Sequence, residues 1–503
     1  MTTTLVIGIV VLLIAVLLAR AALYKPEAAE HGEATAAVER EVDAAAAAEH
    51  LAEMVRCKTV STGYKKKKQA AENEPPEGEN EYSEFVKFRS LLEAIYPESH
   101  RVLERELISE HSMLYRWIGV SDDKPLVLMA HYDVVPADAG DWKYPPFDGV
   151  IEDEVIWGRG TLDTKATLCG IFEAVELLIK EGFTPQRDIY LSFGHDEETM
   201  GKGALSIVEY LREKGIRPEA VLDEGGAIVE GIFPGVKEPM AVVGMSEKGV
   251  ADIEVLLHGS GGHSSTPGPV TPLSELSKII LRLNKNPFPA HLPGELMEMF
   301  AVLGRHMPFG FRIIFANLWL FKPLLKVVLP RLGRELNALC RTTCVFTMAE
   351  GSRASNVIPE KVRTVANLRL SAADPLENAL EHVKTQAERA IEKSLKAKDP
   401  YRLEVNIVSG HNASPSSSTS SAAYMKLRET IEEVFRGTIV TPYIMLGVSD
   451  SRHYCAICDN VLRFSPIQMS REELRSIHGI DERIPVAKLG RVVVFYLNLI
   501  CRS

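Results

Sequence analysis

His131, Asp133, Asp163, Glu197 and Glu198 are side chains whose types and spacing suit metal binding and proton transfer. They fall in three nearby stretches, PLVLMAHYDVVP, WGRGTLDTKATLCGIFEAVELL and DIYLSFGHDEETMGKG, each placing an acid or a histidine where an apolar run stops or a Gly-rich turn begins. Asp223 in Leu-Asp-Glu-Gly-Gly and His478 in Ile-His-Gly add a carboxylate and an imidazole farther along. Two divalent cations held close can share one carboxylate while each keeps its own terminal ligands. A mixed imidazole and carboxylate set suits zinc and leaves room for water. On an extended backbone Glu197 and Glu198 point in opposite directions, so one can bind metal while its neighbour moves protons.

Taken one at a time, each residue has a plainer role: His131 as a hydrogen-bonded strand end, Asp163 as a cap for the helix beginning near Thr164, Glu197 and Glu198 as a solvated pair, Asp223 as a turn residue and His478 as a loop histidine. The elements around them favour the joint interpretation. Leu126–Ala130 is almost wholly apolar, as expected of a strand covered on both faces. Leu168–Ile179 is an apolar-striped helix, Asp188–Phe193 a strand, Ala204–Lys214 a helix and Ala220–Leu222 a strand. Alternating strands and helices predict an open α/β sheet, whose ligands gather beyond the carboxyl ends of its strands.

After Gly244 the pattern changes. Val250–Leu257 alternates, HGSGGHSSTPGP is built of turn formers, and Pro272–Leu283 is helical with proline in its first turn. A strand at Val362–Leu370, a helix from Asp374 to about Lys396 and a strand at Tyr401–Val408 complete an inserted α+β unit of ferredoxin-like type. Within it, Met297–Leu329 is almost entirely apolar and basic. Packed helices account for that, and so does an apolar wall for a greasy substrate or a membrane face. The Ser-rich joint Ser414–Ser421 leads back to the first fold. The expected organisation is a targeting segment (1–25), a catalytic domain in two parts (26–245 and 413–503) and an insert (246–412).

A chain of 503 residues exceeds one ordinary core. With 46% hydrophobic and 25% charged residues it is a globular protein, and a net charge of -11 with no evident face to neutralise phosphates argues against a nucleic-acid partner. Lys65–Lys68 is followed by acids and fits a solvated loop. Seven cysteines do not make a disulfide scaffold, and Cys455-Ala-Ile-Cys458 has no second CxxC to complete a zinc site. Residues 26–60 and Phe85–Pro97 have helical spacing, whereas Gly63–Tyr82 is polar and belongs at the surface. Leu5–Ala19 is an unbroken apolar run ending at Arg20, a membrane-targeting segment either cleaved or kept as an anchor. It places the catalytic part in the extracellular or lumenal space, secreted or membrane-anchored.

Ten short motifs occur in one order: HYDVVP, Trp142–Phe147 as WxxPPF, GRGTLD, SFGHDEE, LDEGG, SEKG at Ser246–Gly249, GHSS, NVIP, SDSR and IHG. In this the chain, from about Ala44 to its carboxyl terminus, resembles the dizinc aminoacylase and carboxypeptidase family, in the branch that holds carboxypeptidase S and the N-fatty-acyl-amino-acid synthase/hydrolases. The resemblance implies two zinc ions, with His131 and Asp223 on one, Glu198 and His478 on the other and Asp163 between them. It implies Glu197 as general base, Asp133 as the partner orienting His131, and a cis peptide after Asp163. From the insert, His263 would reach the scissile carbonyl oxygen, its own or that of a partner subunit in a homodimer. Asn356 and Arg452 would bind the substrate carboxylate, unless Asn356 only caps the turn before Pro359 and Arg452 only pairs with Asp450. Arg353-Ala-Ser before Asn356 and His453 after Arg452 depart from the family pattern. The implied substrates are small and amphipathic, N-acyl amino acids, with possible contact to membrane or lipoprotein. Carboxypeptidase action on peptides uses the same chemistry, and a binding or structural protein would need a lost ligand.

Overall fold

The computed structural model describes residues 2–26, 41–61, 63, 82–233, 235–397 and 400–503. Nearly all of the polar Gly63–Tyr82 stretch, the Lys65–Lys68 run and the amino-terminal part of the helix expected over 26–60 lie outside them; the described part of that helix is Ala44–Arg56, capped by Asp43 Oδ1 accepting from the Ala46 N–H at 2.9 Å. Among the described residues a ten-stranded mixed sheet forms the centre. Its middle is parallel: Ser121–His131 lies between Arg187–Gly194 and Ala220–Asp223, and Val461–Arg463 pairs with Ala220–Asp223. The last seven residues of Ser121–His131 are all buried, which explains the absence of alternation in PLVLMAH.

Helices Ala44–Arg56, Lys165–Lys180 and Val486–Cys501 pack together on one face of this sheet. Gly170 permits a close crossing of Lys165–Lys180 and Val486–Cys501, because a Cβ there would stand 2.5 Å from Val492 Cγ1. The opposite face is covered by Gly203–Glu213 and the 3-10 segment Asp450–Ala456, with Val127, Met129, Val221, Ile207 and Tyr454 in one cluster. Both faces being covered, ligands have access at the strand ends.

The chain between the two halves of this fold builds a second, four-stranded antiparallel sheet from Gly249–His258, Thr343–Glu350, Lys361–Leu370 and Arg402–His411. Taken across the sheet, the strands come second, third, first and fourth in chain order, with helices Pro272–Lys285 and Leu376–Ala390 following the first and third, a βαββαβ plan. Pro272 and a capping box between Thr271 and Ser274 start the first helix. Ile253, Val255, Leu276, Ile279, Ala379 and Val383 form the core between sheet and helices.

Helices Gly294–His306, Phe309–Phe315, Leu318–Val328 and Arg334–Cys340 interrupt this unit. They belong to another core than their place in the sequence suggests. Leu296, Met299, Phe300 and Leu303 join the cluster of the central sheet beside Met240 and Ala241, not that of the second sheet. The proline-studded link Pro287–Pro293 carries the chain back, and helical periodicity reveals a buried face without naming what it packs on. The apolar amino terminus is the helix Thr2–Leu23.

Candidate metal centre

Each candidate side chain comes from a strand end or the turn after it. His131 closes Ser121–His131, Glu197 and Glu198 follow Arg187–Gly194, and Asp163 precedes the helix Lys165–Lys180 behind the cis peptide Asp163–Thr164. His478 lies in the turn after Arg471–Ser476 with φ +58°, a conformation a residue bearing a Cβ adopts at a cost. Asp163 stands at the centre. Its Oδ1 is 2.9 Å from His131 Nε2 and its Oδ2 3.0 Å from His478 Nε2, so its two oxygens face two different imidazoles. Glu198 Oε2 lies 3.2 Å from His478 Nε2.

Glu224 completes the other side, its Oε1 3.2 Å from His131 Nε2. The structure thus brings Glu224, and not the expected Asp223, up to His131. Asp223 ends the strand Ala220–Asp223 on the face of Val221, under Asp450–Ala456, and its Oδ2 accepts the Ser451 N–H at 3.0 Å. Glu224 is the first residue past the strand and turns into the crevice. Oxygens of Glu197 and Glu224 lie within 4.8 Å of each other and of a His131 nitrogen. Glu197 and Glu198 occupy a 3-10 turn, not the extended backbone expected, yet they still diverge, one towards His131 and the other towards His478.

Asp133 holds the arrangement from behind. Its Oδ1 accepts the Glu197 N–H at 3.2 Å and its Oδ2 the Glu198 N–H at 3.1 Å, with Ser61 Oγ donating to the same carboxylate. His131 Nδ1 lies 3.0 Å from the Asp133 carbonyl and 3.3 Å from its Oδ1, which fixes the ring and leaves Nε2 for the crevice. A carboxylate absent from the sequence-based set does similar work on the loop of Asp163. Glu482, fully buried, accepts the N–H groups of Gly160, Leu162 and Asp163 on Oε1 and pairs with Arg159 Nη1 through Oε2 at 2.6 Å.

The charges test whether a cation fits. Among the described residues Asp163 and Glu224 form ion pairs only with histidines, and Glu197 lies beside His131 with no Lys or Arg paired to it. Burial pushes Glu224 up to about 8 and Glu197 well above the usual carboxylate range. Burial opposes a charge on His131, but Glu224 and hydrogen bonds to Asp133 and Asp163 raise its pKa well above normal. Hydrogen bonds to Asp163 and Glu198 lift His478 to about 10. Protons thus fill the role that cations would fill, and imidazole with carboxylate is a donor set for zinc-like ions.

The family model for "Peptidase family M20/M25/M40" matches residues 127–502. The chain belongs to this family. Among M20 relatives it is 36% identical to the probable carboxypeptidase S-like 2 of Dictyostelium discoideum, over 90% of this chain and 84% of that one. It is 35% identical to the N-fatty-acyl-amino acid synthase/hydrolase PM20D1 of Xenopus tropicalis (85% and 82% covered) and 30% identical to carboxypeptidase S of Saccharomyces cerevisiae (82% and 77%). Its fold superposes on an M20 family metallo-carboxypeptidase from Sulfolobus solfataricus with a TM-score of 0.63 at 18% identity, covering 90% of this chain and 97% of that one. It is therefore an M20 metallohydrolase of amide bonds acting on a small-molecule substrate, with an apolar amino-terminal helix that fits a signal or an anchor.

The three residues expected to bind substrate in this M20 chain lie in two places. His263 and Asn356 come together on an exposed ribbon of the insert, where the Ser264 N–H donates to the Asn356 carbonyl at 3.0 Å and His263 Nδ1 lies 2.8 Å from Ser265 Oγ. Arg452 sits beside the cage on the central fold, its Nη1 donating to the Ser449 carbonyl at 2.6 Å. Among the described residues it makes no ion pair with Asp450, and there the Asp450 Oδ2 is buried against Gly194 without a hydrogen-bond partner.

Proposed function

We propose that this M20 enzyme hydrolyses, and in reverse forms, the amide bond of N-fatty-acyl amino acids, with two zinc ions held by His131, Asp163, Glu198, Glu224 and His478. The observation that carries the two-ion reading is Asp163, whose two carboxylate oxygens face one histidine each. Bound there, the ions would supply Lewis acidity, polarising a carbonyl and lowering the pKa of water. Glu197, beside His131 and with its backbone N–H held by Asp133, removes a proton from the attacking water and returns it to the departing amine. The raised pKa of its buried carboxyl suits both halves of that transfer. Arg452 binds the substrate carboxylate, while His263 and Asn356 close on the substrate from the insert of the same chain or of a second copy. The relatives named as N-fatty-acyl-amino acid synthase/hydrolases support the acyl class. The amino-terminal helix takes the catalytic part to the extracellular or lumenal side of a membrane.

The relatives named as carboxypeptidases support a second reading, release of a carboxyl-terminal residue from peptides. Hydrolysis of a long-chain N-acyl-phenylalanine, compared with that of a blocked dipeptide, separates the two, and turnover of the dipeptide alone would overturn the acyl reading. Glu197→Gln is expected to keep both zinc ions and lose about 100-fold or more in turnover. Full activity in that variant would remove Glu197 from its role.

A further inference from the structure

The amino-terminal helix does more than precede the fold. From residue 3 to 24 only Leu17, Ala21 and Tyr24 are withdrawn from solvent, one stripe at helical spacing. Arg20 donates from Nε and Nη2 to the Ala316 carbonyl at 3.1 and 2.9 Å, and the fully buried Asn317 donates from Nδ2 to the Leu17 carbonyl at 3.2 Å. The Tyr24 hydroxyl donates to the Ala301 carbonyl. A leader destined for removal has no use for polar bonds of this kind with the mature fold. Ahead of this dock residues 3–16 are exposed throughout, and together with the docked turns the 22 residues of the helix reach about 33 Å, close to the thickness of a bilayer's hydrocarbon core.

The partner in this dock is itself unusual. Phe309–Phe315 and Leu318–Arg331 meet at 100° around Ala316 and Asn317, the two residues that bind the helix. Neither arm is long enough to span a membrane. Phe309, Phe311, Trp319, Leu320, Leu324 and Val327 nonetheless point outwards, Trp319 with 60% of its surface exposed. From Met299 to Arg334 there is no Asp or Glu, while Arg305, Arg312, Lys322, Lys326, Arg331 and Arg334 carry positive charge in a chain of net charge -11. Exposed apolar side chains interleaved with basic ones are what a helix lying in an anionic lipid interface presents.

We propose that Thr2–Leu23 is retained as a membrane anchor and that Phe309–Arg331 is seated in the headgroup layer of the same bilayer as an interfacial wedge. The occupant of the exposed apolar face is then lipid, because the helix hydrogen-bonded to its bend cannot enter a bilayer without bringing that bend to the surface. The link to catalysis rests on the N-fatty-acyl reading above: long-chain acyl substrates partition into the layer in which the wedge lies.

The test reconstitutes the full zinc-loaded chain in phosphatidylcholine and phosphatidylserine vesicles whose acyl chains are brominated. Bromine is expected to quench tryptophan emission, and Trp319→Phe to lose most of that quenching, since Trp117, Trp142 and Trp157 lie on the central fold. A Leu324→Glu/Val327→Glu variant is expected to reduce quenching of Trp319 while turning over a water-soluble short-chain N-acyl amino acid as before. Equal quenching in wild type and Trp319→Phe would overturn the wedge whatever the enzyme's substrate. So would absent quenching accompanied by dimerisation, which would give the face to a second copy. A mature chain beginning after Leu23 by amino-terminal sequencing would overturn the anchor.

Discussion

The carboxylate cage and the bent helices Phe309–Arg331 are mismatched in opposite senses. At the strand ends Asp163, Glu197 and Glu224 are gathered in a crevice where, among the described residues, no lysine or arginine answers them. On the bent helices apolar side chains face outwards with none of the described residues over them. The chain can supply counter-charges when folding alone requires them: Glu247 lies 3.2 Å from Arg463 with both fully buried, and Glu482 pairs with Arg159. An uncompensated buried carboxylate is costly, so a cluster of them points to a cation that is not polypeptide. An uncovered apolar face likewise points to a non-aqueous partner. Each region therefore indicates its complement by what it lacks.

The sharpest way to break the comparison is to empty half of the cage. Glu224→Ala should lower zinc from two ions per chain to one and reduce turnover by at least about 100-fold, the upper end of what lesions behind metal ligands cost. Asp223→Asn should keep both ions, as its carboxylate serves the Ser451 N–H. Elemental analysis of the two variants decides between the neighbours, and the reverse result would put Asp223 back in the site.

An intermediate effect is expected from pH. His478 must be neutral to bind a cation, and in the ion-free protein its pKa stands at about 10. Zinc binding therefore displaces a proton, and affinity should rise with pH by about tenfold per unit for each proton released. Competition with a chromophoric chelator between pH 6 and 8 measures the slope; a flat profile would deny that protons substitute for ions in the cage. The smallest effect belongs to the other region. Leu324→Ser/Val327→Ser should leave zinc content and turnover of a water-soluble substrate unchanged and shift stability by no more than about 0.5 kcal/mol, since both side chains are already exposed. A large fall in the melting temperature would mean that this face is covered by protein after all.

Much of this was legible in the sequence because strand ends carry local marks. The apolar run before His131, the Gly-rich turn before Asp163 and the SFGHDEE stretch each announce a strand or turn and the side chain beyond it. The choice between Asp223 and Glu224 turned on one residue of strand length, which periodicity does not resolve. Glu482 was invisible, because its partners Gly160, Leu162 and Asp163 are some 320 residues away and a buried carboxylate accepting backbone N–H groups has no short-range pattern. The helices from Gly294 to Cys340 showed their composition but not their neighbour: a hydrophobic stripe looks the same whether it packs on the central sheet or on the second one.

Glu482 also has a mechanical consequence. It stands four positions after His478 in the chain while gripping the backbone that presents Asp163. The hinge-like turn of one imidazole and the loop of the shared carboxylate are thereby clamped into a single part. Lengthening either would displace both, so diversification of the crevice has to come from its other walls.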